Sequence, residues 1–578
     1  MSTALSETSA RTLPKPGSPV DYAALETLLG RPEDPANPVG HRAVLEADEQ
    51  GVALEAGERI LDGYSFNAEF VPRRLGGRFA QIDRLGQQAR ALSRRDCTMA
   101  LAYGVTNYIA GAPVWTDGNA DQQRWAASTL LAGRRISAGY TELPHGNDFT
   151  RNDLRARRVG DHFLVSGRKE LINNIARADG VLLFARTDEA PGSHSHTHLL
   201  IDLTDAPPGR FRYLPRFETV GVRGCLLGGI EFDDLPVPAS AVVGELGGAM
   251  ETVLRTFQTT RGMLPGMGIG ILDSQLRTVA TFAADRGLYG RRVLDLPHVR
   301  ATLADAFTDL LISDALATVA VRAMHVLPRE TSLYTPATKY LAPKLLRDAD
   351  YRLSVILGAR SYLREGPAAM FQKNSRDLQL LTFGHANATS CLAMLVPQLP
   401  RLAQRGWLSD DAETAPDELF RFAETLSALD YHALELSARG MDSLSCLLTG
   451  GADDLEVNSL AGDFVDELRE LRACVGQLGP ADRTVVASRR GFLLADRYCV
   501  VLAAAACLGM WQQAGTDPFL ADPTWVIAAL RRLAARLGRR TPDSDTQTTE
   551  VLLDEQRRRV SADQSLDLAC QKLYGGDR

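Results

Sequence analysis

Lysine is scarce: the 578-residue chain has six, among 64 basic residues in all. Nearly all of its positive charge is therefore arginine. Acidic residues number 71 and the formal net charge is −7, so no global basic field exists to hold nucleic acid or an anionic membrane. The eight cysteines (Cys97, Cys225, Cys391, Cys446, Cys474, Cys499, Cys507 and Cys570) include no CxxC pair. That removes the common zinc and dithiol signatures and predicts the dispersed, buried thiols of a reduced, cytoplasmic protein. No GxxxxGK[ST] motif is present, and no GxGxxG follows a strand, so nucleotide binding of the P-loop or Rossmann kind has no support. Long apolar runs are missing too. The longest, Cys499 to Trp511, is about 13 residues, short of the ~20 that cross a bilayer, and predicts a buried helix. Residues 1–20 lack a charged-then-apolar pattern and read as a disordered leader.

What is present is ordinary soluble composition, 45% hydrophobic and 23% charged, over a length that calls for several folding units. Periodicity divides it. Residues 21–135 are mostly helical, with Phe79, Ile82, Leu85, Ala89 and Leu92 spaced three or four apart. Residues 136–245 change to short runs, HFLVSG, GVLLFAR and HLLIDL, separated by Gly, Pro and Asp, which predicts a small β-barrel or sandwich. Residues 246–402 return to long helical patterns (Met250 to Arg286, Val299 to Val326, Ala342 to Leu357), the signature of a bundle. After the polar stretch QRGWLSDDAETAPDE, residues 403–578 predict further amphipathic helices. The fold class is α+β, mainly α: helical domain, central β-barrel domain, helical bundle, C-terminal helical extension.

Two polar stretches stand out. HSHTH (His194 to His198) sets three imidazoles on one face of an extended segment. After APGS it reads as an exposed hairpin loop rather than a metal site, and no metal is expected. RRLAARLGRR (Arg531 to Arg540) reads as a solvated helix face, with an acidic carrier protein as its conceivable partner.

Five segments carry a resemblance. GNADQQRWAASTLLAGRRISAGYTE, TELPHGND (Thr141 to Asp148), VSGRKELINN (Val165 to Asn174), ADRGLYG (Ala284 to Gly290) and NSRDLQLLTFGHAN (Asn374 to Asn387) resemble, in order and spacing, the acyl-CoA dehydrogenase and acyl-CoA oxidase superfamily, over roughly Val71 to Leu402. The resemblance implies FAD as cofactor. It also implies oxidation of an acyl thioester, carried by CoA or an acyl carrier protein, to the enoyl thioester. A base takes the α-proton and the β-hydrogen leaves as hydride to flavin N5. Electron-transfer flavoprotein or oxygen would reoxidise the flavin, and a homodimer would share FAD contacts. Residue by residue, Tyr140 and Thr141 match the loop facing the flavin ring. Asn147 stands where Ser is usual, Leu171 where a flavin-covering Trp is usual, and Asn173 where Thr is usual. Arg286 matches the arginine that reaches a neighbouring subunit's FAD pyrophosphate, and Tyr289 its partnering Phe. Gly358 opens GARSY in place of the usual GG-x-G-Y.

The family's base does not carry over. Nine residues beyond Arg376 of the Arg376-Asp377 pair stands His385, and the alternative register gives Gly384; the second position used in the family falls on Thr260, before Arg261. None is a carboxylate. His385 is the candidate catalytic base, since a neutral imidazole in a desolvated pocket suffices near neutral pH. Glu365 and Asp377 are the nearest acids. A flavin-dependent monooxygenase of the same fold and a catalytically silent flavin-binding partner subunit stay open as alternatives.

Overall fold

The structure, a computed structural model, describes residues 22–384, 386–409, 413–486, 488–541 and 545–575. Six helices come first: α1 (Tyr22–Leu29), α2 (His41–Gln50), α3 (Glu55–Gly63), α4 (Ile82–Ala100), α5 (Thr106–Asp117) and α6 (Ala120–Leu131). Local chemistry fixes their ends. Gly51 closes α2 in the left-handed region, and Asn119 opens α6 in a reciprocal capping box with Gln122. Helix α4 is broken inside at Asp96 (φ −164°, ψ 114°), whose carboxylate accepts from the amides of Thr98 and Met99. The chain then makes one wide π-turn, Leu101–Val105, before α5.

The β block is one mixed sheet of eight strands: β1 (Ile136–Gly139), β2 (Arg155–Val159), β3 (His162–Asn173), β4 (Gly180–Arg186), β5 (His196–Asp202), β6 (Phe211–Leu214), β7 (Leu227–Pro238) and β8 (Val242–Val243). Its order is β6-β7-β3-β2-β4-β5-β8, and β1 lies parallel to β4. It has its own core of Phe163, Val165, Leu183, Ile230, Phe232 and Val237.

A bundle follows: α7 (Ala249–Asp285), the hairpin of β9 (Gly287–Leu288) and β10 (Arg291–Arg292), α8 (Pro297–Val326) and α9 (Thr331–Leu357). Shorter helices α10 (Ala369–Leu378), α11 (Leu380–Phe383), α12 (Ala388–Leu395) and α13 (Leu399–Arg401) close it. Gly270 lets α7 lie directly on α4, since a β-carbon there would sit 2.3 Å from the Arg90 carbonyl.

The expected run of C-terminal helices is only partly found. Residues 413–454 hold short 3₁₀ turns at Asp417–Leu419, Tyr431–Ala433 and Ser445–Thr449. Side chains from the bundle satisfy this segment's backbone, as when buried Arg322 donates to the carbonyls of Glu418, Leu419 and Glu424. Regular helices resume with α14 (Leu455–Gly476), α15 (Arg489–Gln512), α16 (Pro523–Arg536) and α17 (Thr546–Ser561). Their apolar faces join the core that runs from α1 through the bundle. Helix α15 is long and apolar enough by composition to cross a membrane, but 78% of its apolar window is buried in this core. The arginine stripe is not a free solvated face. Arg531, Arg532, Arg536, Arg539 and Arg540 pair with Glu456, Asp545, Asp309, Asp348, Glu467 and Asp463, pinning α16 to its neighbours.

Candidate functional site

Strand β1 ends at Gly139 and delivers Tyr140 and Thr141 to the edge of the sheet. The Tyr140 ring is buried against Phe149, Phe184 and Phe257, the last on α7 at 5.2 Å, and its hydroxyl meets His198 Nε2 at 3.1 Å. Glu142 turns inward. Its Oε1 accepts from Lys169 Nζ (2.8 Å) and the Leu154 amide (3.0 Å), and its Oε2 from the Asp153 amide (2.7 Å). Burial raises the Glu142 carboxyl's proton affinity, but Lys169 and those amides outweigh it and hold the group below its ordinary value. Lys169 is fully buried; burial lowers it to about 8, with Glu142 opposing. The Glu170 amide donates to the Thr141 carbonyl (2.9 Å), and the Leu143 amide to Glu170 Oε2 (3.1 Å). The loop is thus strapped from below while the Thr141 hydroxyl is unspent among the described residues. Asn147 reaches α12, donating to Ser390 Oγ at 3.4 Å.

The end of β3 supplies the second part. Leu171 is held at φ +55° and is 38% exposed. Asn173 and Asn174 donate to the carbonyls of Leu101 and Ala102 (2.8 and 2.7 Å), so the π-turn between α4 and α5 sets the position of this strand end. Asn173 Oδ1 and Thr106 Oγ1 are buried with no partner. Buried polar atoms usually have a protein or water partner. A hydroxyl, an orphan amide oxygen and an exposed leucine on one rim fit the polar edge and flat face of a flavin ring.

Arg286, Tyr289 and Gly358 are gathered elsewhere. Arg286 follows α7 and lines a crevice of about 490 Å³ with Arg277, Phe282, Arg360 and Tyr574. Tyr289, at the hairpin tip, is 85% exposed at φ +50°. Gly358 ends α9 at φ +57° and starts the turn Gly358–Tyr362 that carries Arg360. None of the first group lines this crevice.

His385 lies outside the described residues. Thr260 is buried and bonded to the Phe257 carbonyl. Asp377 is fully buried, pairs with Lys373 (2.6 Å) and accepts from the Val222 amide (2.6 Å), which makes it a structural acid. Glu365 is exposed.

The HSHTH segment departs from expectation. His194 is exposed, but His196 and His198 lie in β5 and are fully buried. His196 stacks on Phe184 (4.6 Å, 12°), between Ser195 Oγ and the Asn152 carbonyl. Both rings serve the core as neutral aromatics. Burial lowers His196 to about 4 and His198 to about 3. The unfolded chain therefore binds more protons between those values and about 6.5, and stability falls as pH drops through that window. Melting temperatures at pH 7 and pH 5 should differ clearly in the wild type and less in His196→Phe, whose phenyl ring keeps the stack. An equal pH loss in both would exclude His196 as a source.

Among the described residues Glu142, His145 and Asp153 hold ligand atoms within 4.8 Å of one another. Glu142 already accepts from Lys169 and two amides, which ties the trio to the loop strap.

Comparison with known proteins bears on both halves of the site. A family model described as acyl-CoA dehydrogenase, middle domain, matches residues 137–235, and one described as acyl-CoA dehydrogenase, C-terminal domain, matches 248–385. The caffeyl-CoA reductase–Etf complex subunit CarC of Acetobacterium woodii is 22% identical over 324 residues, 55% of this chain and 84% of its own. Butyryl-CoA dehydrogenase from Megasphaera elsdenii shares the fold at TM-score 0.58 and 20% identity, over 65% of this chain and 97% of its own. An acyl-CoA dehydrogenase complexed with FAD from Bacillus anthracis superposes at TM-score 0.68 and 15% identity over 92% and 93% of the two chains. That last likeness extends into the C-terminal helices.

Proposed function

From its membership of the acyl-CoA dehydrogenase superfamily we propose that the protein is a flavin-dependent oxidoreductase acting on the CH–CH group next to a thioester. The substrate is an acyl-CoA or an acyl carrier protein thioester, and the product is the α,β-enoyl thioester. The observation that carries this reading is the loop Tyr140–Asp148, rigidly held by Glu142 and Lys169, beside the unpartnered Asn173 Oδ1.

The cofactor is FAD, which when bound supplies the two-electron acceptor. Thr141 and Asn173 would hold its ring edge, with Leu171 covering a face. Arg286 would hold the pyrophosphate of a partner subunit's cofactor, the use for which a planar, multi-donor cation is suited. The substrate's α-carbon must lie beside a base, and we assign that proton to the neutral imidazole of His385. The exposed Tyr289, at the tip of the hairpin that follows Arg286, supports a homodimer. A subunit of an Etf complex among the relatives supports electron-transfer flavoprotein as acceptor, with oxygen as the rival. We place the protein in the cytoplasm on its dispersed cysteines.

Anaerobic titration with acyl-CoA and acyl carrier protein thioesters, read as flavin absorbance near about 450 nm, tests the reading. Bleaching by a thioester is the expected result. His385→Ala should slow it by roughly tenfold or more, and an unchanged rate removes His385 from the mechanism. A FAD-holding protein that no thioester bleaches is instead the monooxygenase or the silent partner subunit.

A further inference from the structure

Buried cations in this protein are nearly all matched. Arg78 has Glu69, Arg90 has Asp314, Arg94 has Glu26 and Asp273, Lys169 has Glu142, and Lys373 has Asp96 and Asp377. Arg95 has no carboxylate but donates to three carbonyls, those of Leu29, Gly30 and Val39; Arg261 and Lys339 have less. Arg261, on α7, is 4% exposed, and its Nε and Nη1 are buried with no hydrogen-bond partner. Lys339, on α9, is 1% exposed and donates to the Leu381 carbonyl in α11. Among the described residues neither joins a carboxylate. Burial brings Lys339 down to about 8; Cys391 opposes the shift and the charge of Arg261 adds to it. Two unneutralised charges in one dry place are costly, and folded chains keep such an arrangement where something else supplies the anion.

The position suggests what does. Arg261 follows Thr260 and lies one helical turn beyond Phe257, whose ring packs on Tyr140 of the strapped loop. Its other charged-range neighbour is the Cys391 thiol of α12, one residue from Ser390, which Asn147 of the same loop contacts. Leu381 lies four positions before His385, the candidate base. The pair therefore lies where α7 packs on α9, with Lys339 reaching α11.

We propose that Arg261 and Lys339 bind a carboxylate carried by the substrate's own acyl chain, so that the substrate class is a monothioester of a dicarboxylic acid. This rests on the function proposed above. A guanidinium with unspent N–H groups beside an ammonium suits a carboxylate, whereas an uncharged acyl chain leaves both cations unneutralised.

The test uses FAD-loaded protein and chain-matched pairs: glutaryl-CoA against pentanoyl-CoA, and adipyl-CoA against hexanoyl-CoA, with the same acyl groups on an acyl carrier protein. The carboxylated member of a pair should reduce the flavin at a KM at least roughly tenfold lower, and Arg261→Met should abolish that preference. Equal KM values within each pair overturn the proposal while leaving thioester oxidation intact. Arg261→Met also carries a second sign. With no ligand present it should melt a few degrees higher than wild type, because it deletes an uncompensated charge from the core. A lower melting temperature with the substrate preference unchanged makes Arg261 a structural cation and overturns the proposal. If no thioester of any kind reduces the flavin, glutarate alone still decides the carboxylate site. A thermal shift in wild type that Arg261→Met and Lys339→Met both lose supports it, and no shift in wild type overturns it.

Discussion

Glu142→Ala is expected to yield a protein that purifies without flavin. Removing the carboxylate leaves the Lys169 ammonium fully buried with no close carboxylate, only the Tyr140 carbonyl at 3.4 Å and the Phe184 ring at 5.9 Å among the described residues. Breaking one side of a buried ion pair costs about 3–5 kcal/mol. The loss is local as well as global, because the same carboxylate holds the amides of Asp153 and Leu154 and so closes the loop that presents Thr141 and Asn147. The ratio of flavin to protein absorbance should fall by an order of magnitude. Glu142→Gln keeps an acceptor for the amides and should retain part of the flavin. Lys169→Met removes the buried charge together with its need and should be milder than Glu142→Ala. Full flavin content in Glu142→Ala would show that the strap does not position the cofactor loop.

Asp567→Ala should loosen the C-terminal segment by a similar amount. The carboxylate sits at 3.2 Å from Arg90 and 3.1 Å from Arg94, both on α4, and takes the Ser565 hydroxyl at 2.7 Å. On either side of it, the amides of Leu566 and Leu568 donate to Asp273 and Asp314, the carboxylates that complete the arginines' shells. One residue thus seats a tail of the chain between α7, α8 and α4. Burial works to raise the Asp567 carboxyl, but Arg90 and Arg94 win and bring it to about 2. Its contribution is therefore complete above about pH 4 and is lost as pH falls toward 2. At neutral pH the substitution should cost about 3–5 kcal/mol. Hydrogen exchange should rise first in α4 and α1, and protection unchanged in both would show that the tail merely lies on the surface.

The block order of helix, strand and helix was legible because its signals are local. Met250 to Arg286, read from periodicity, differs by one residue at each end from α7, Ala249–Asp285. The candidate flavin-loop residues came from motif order, and the bond from the Glu170 amide to the Thr141 carbonyl ties their loop to the strand end that carries Leu171 and Asn173. Long-range partners are what periodicity cannot carry. His196 and His198 look polar in the chain, yet they fill a strand as neutral rings because Phe184 and Tyr140 receive them. Residues 413–454 look helical in part, yet bundle side chains such as Arg322 claim their carbonyls. Arg261 stood beside Thr260, a position weighed for its chemistry, but that its charge goes unanswered depends on residues more than seventy positions away, Lys339 first among them.

The bond between Arg94 and Asp567 spans 473 residues. At the ~5–20 residues per second of protein synthesis, the arginines of α4 leave the ribosome roughly 25–95 s before their last partner exists. Through that interval a charged crevice destined for the interior stays open on an otherwise formed nascent chain. The molecule can complete its core only once Asp567 has been made, which makes the unfinished chain a natural client for chaperones.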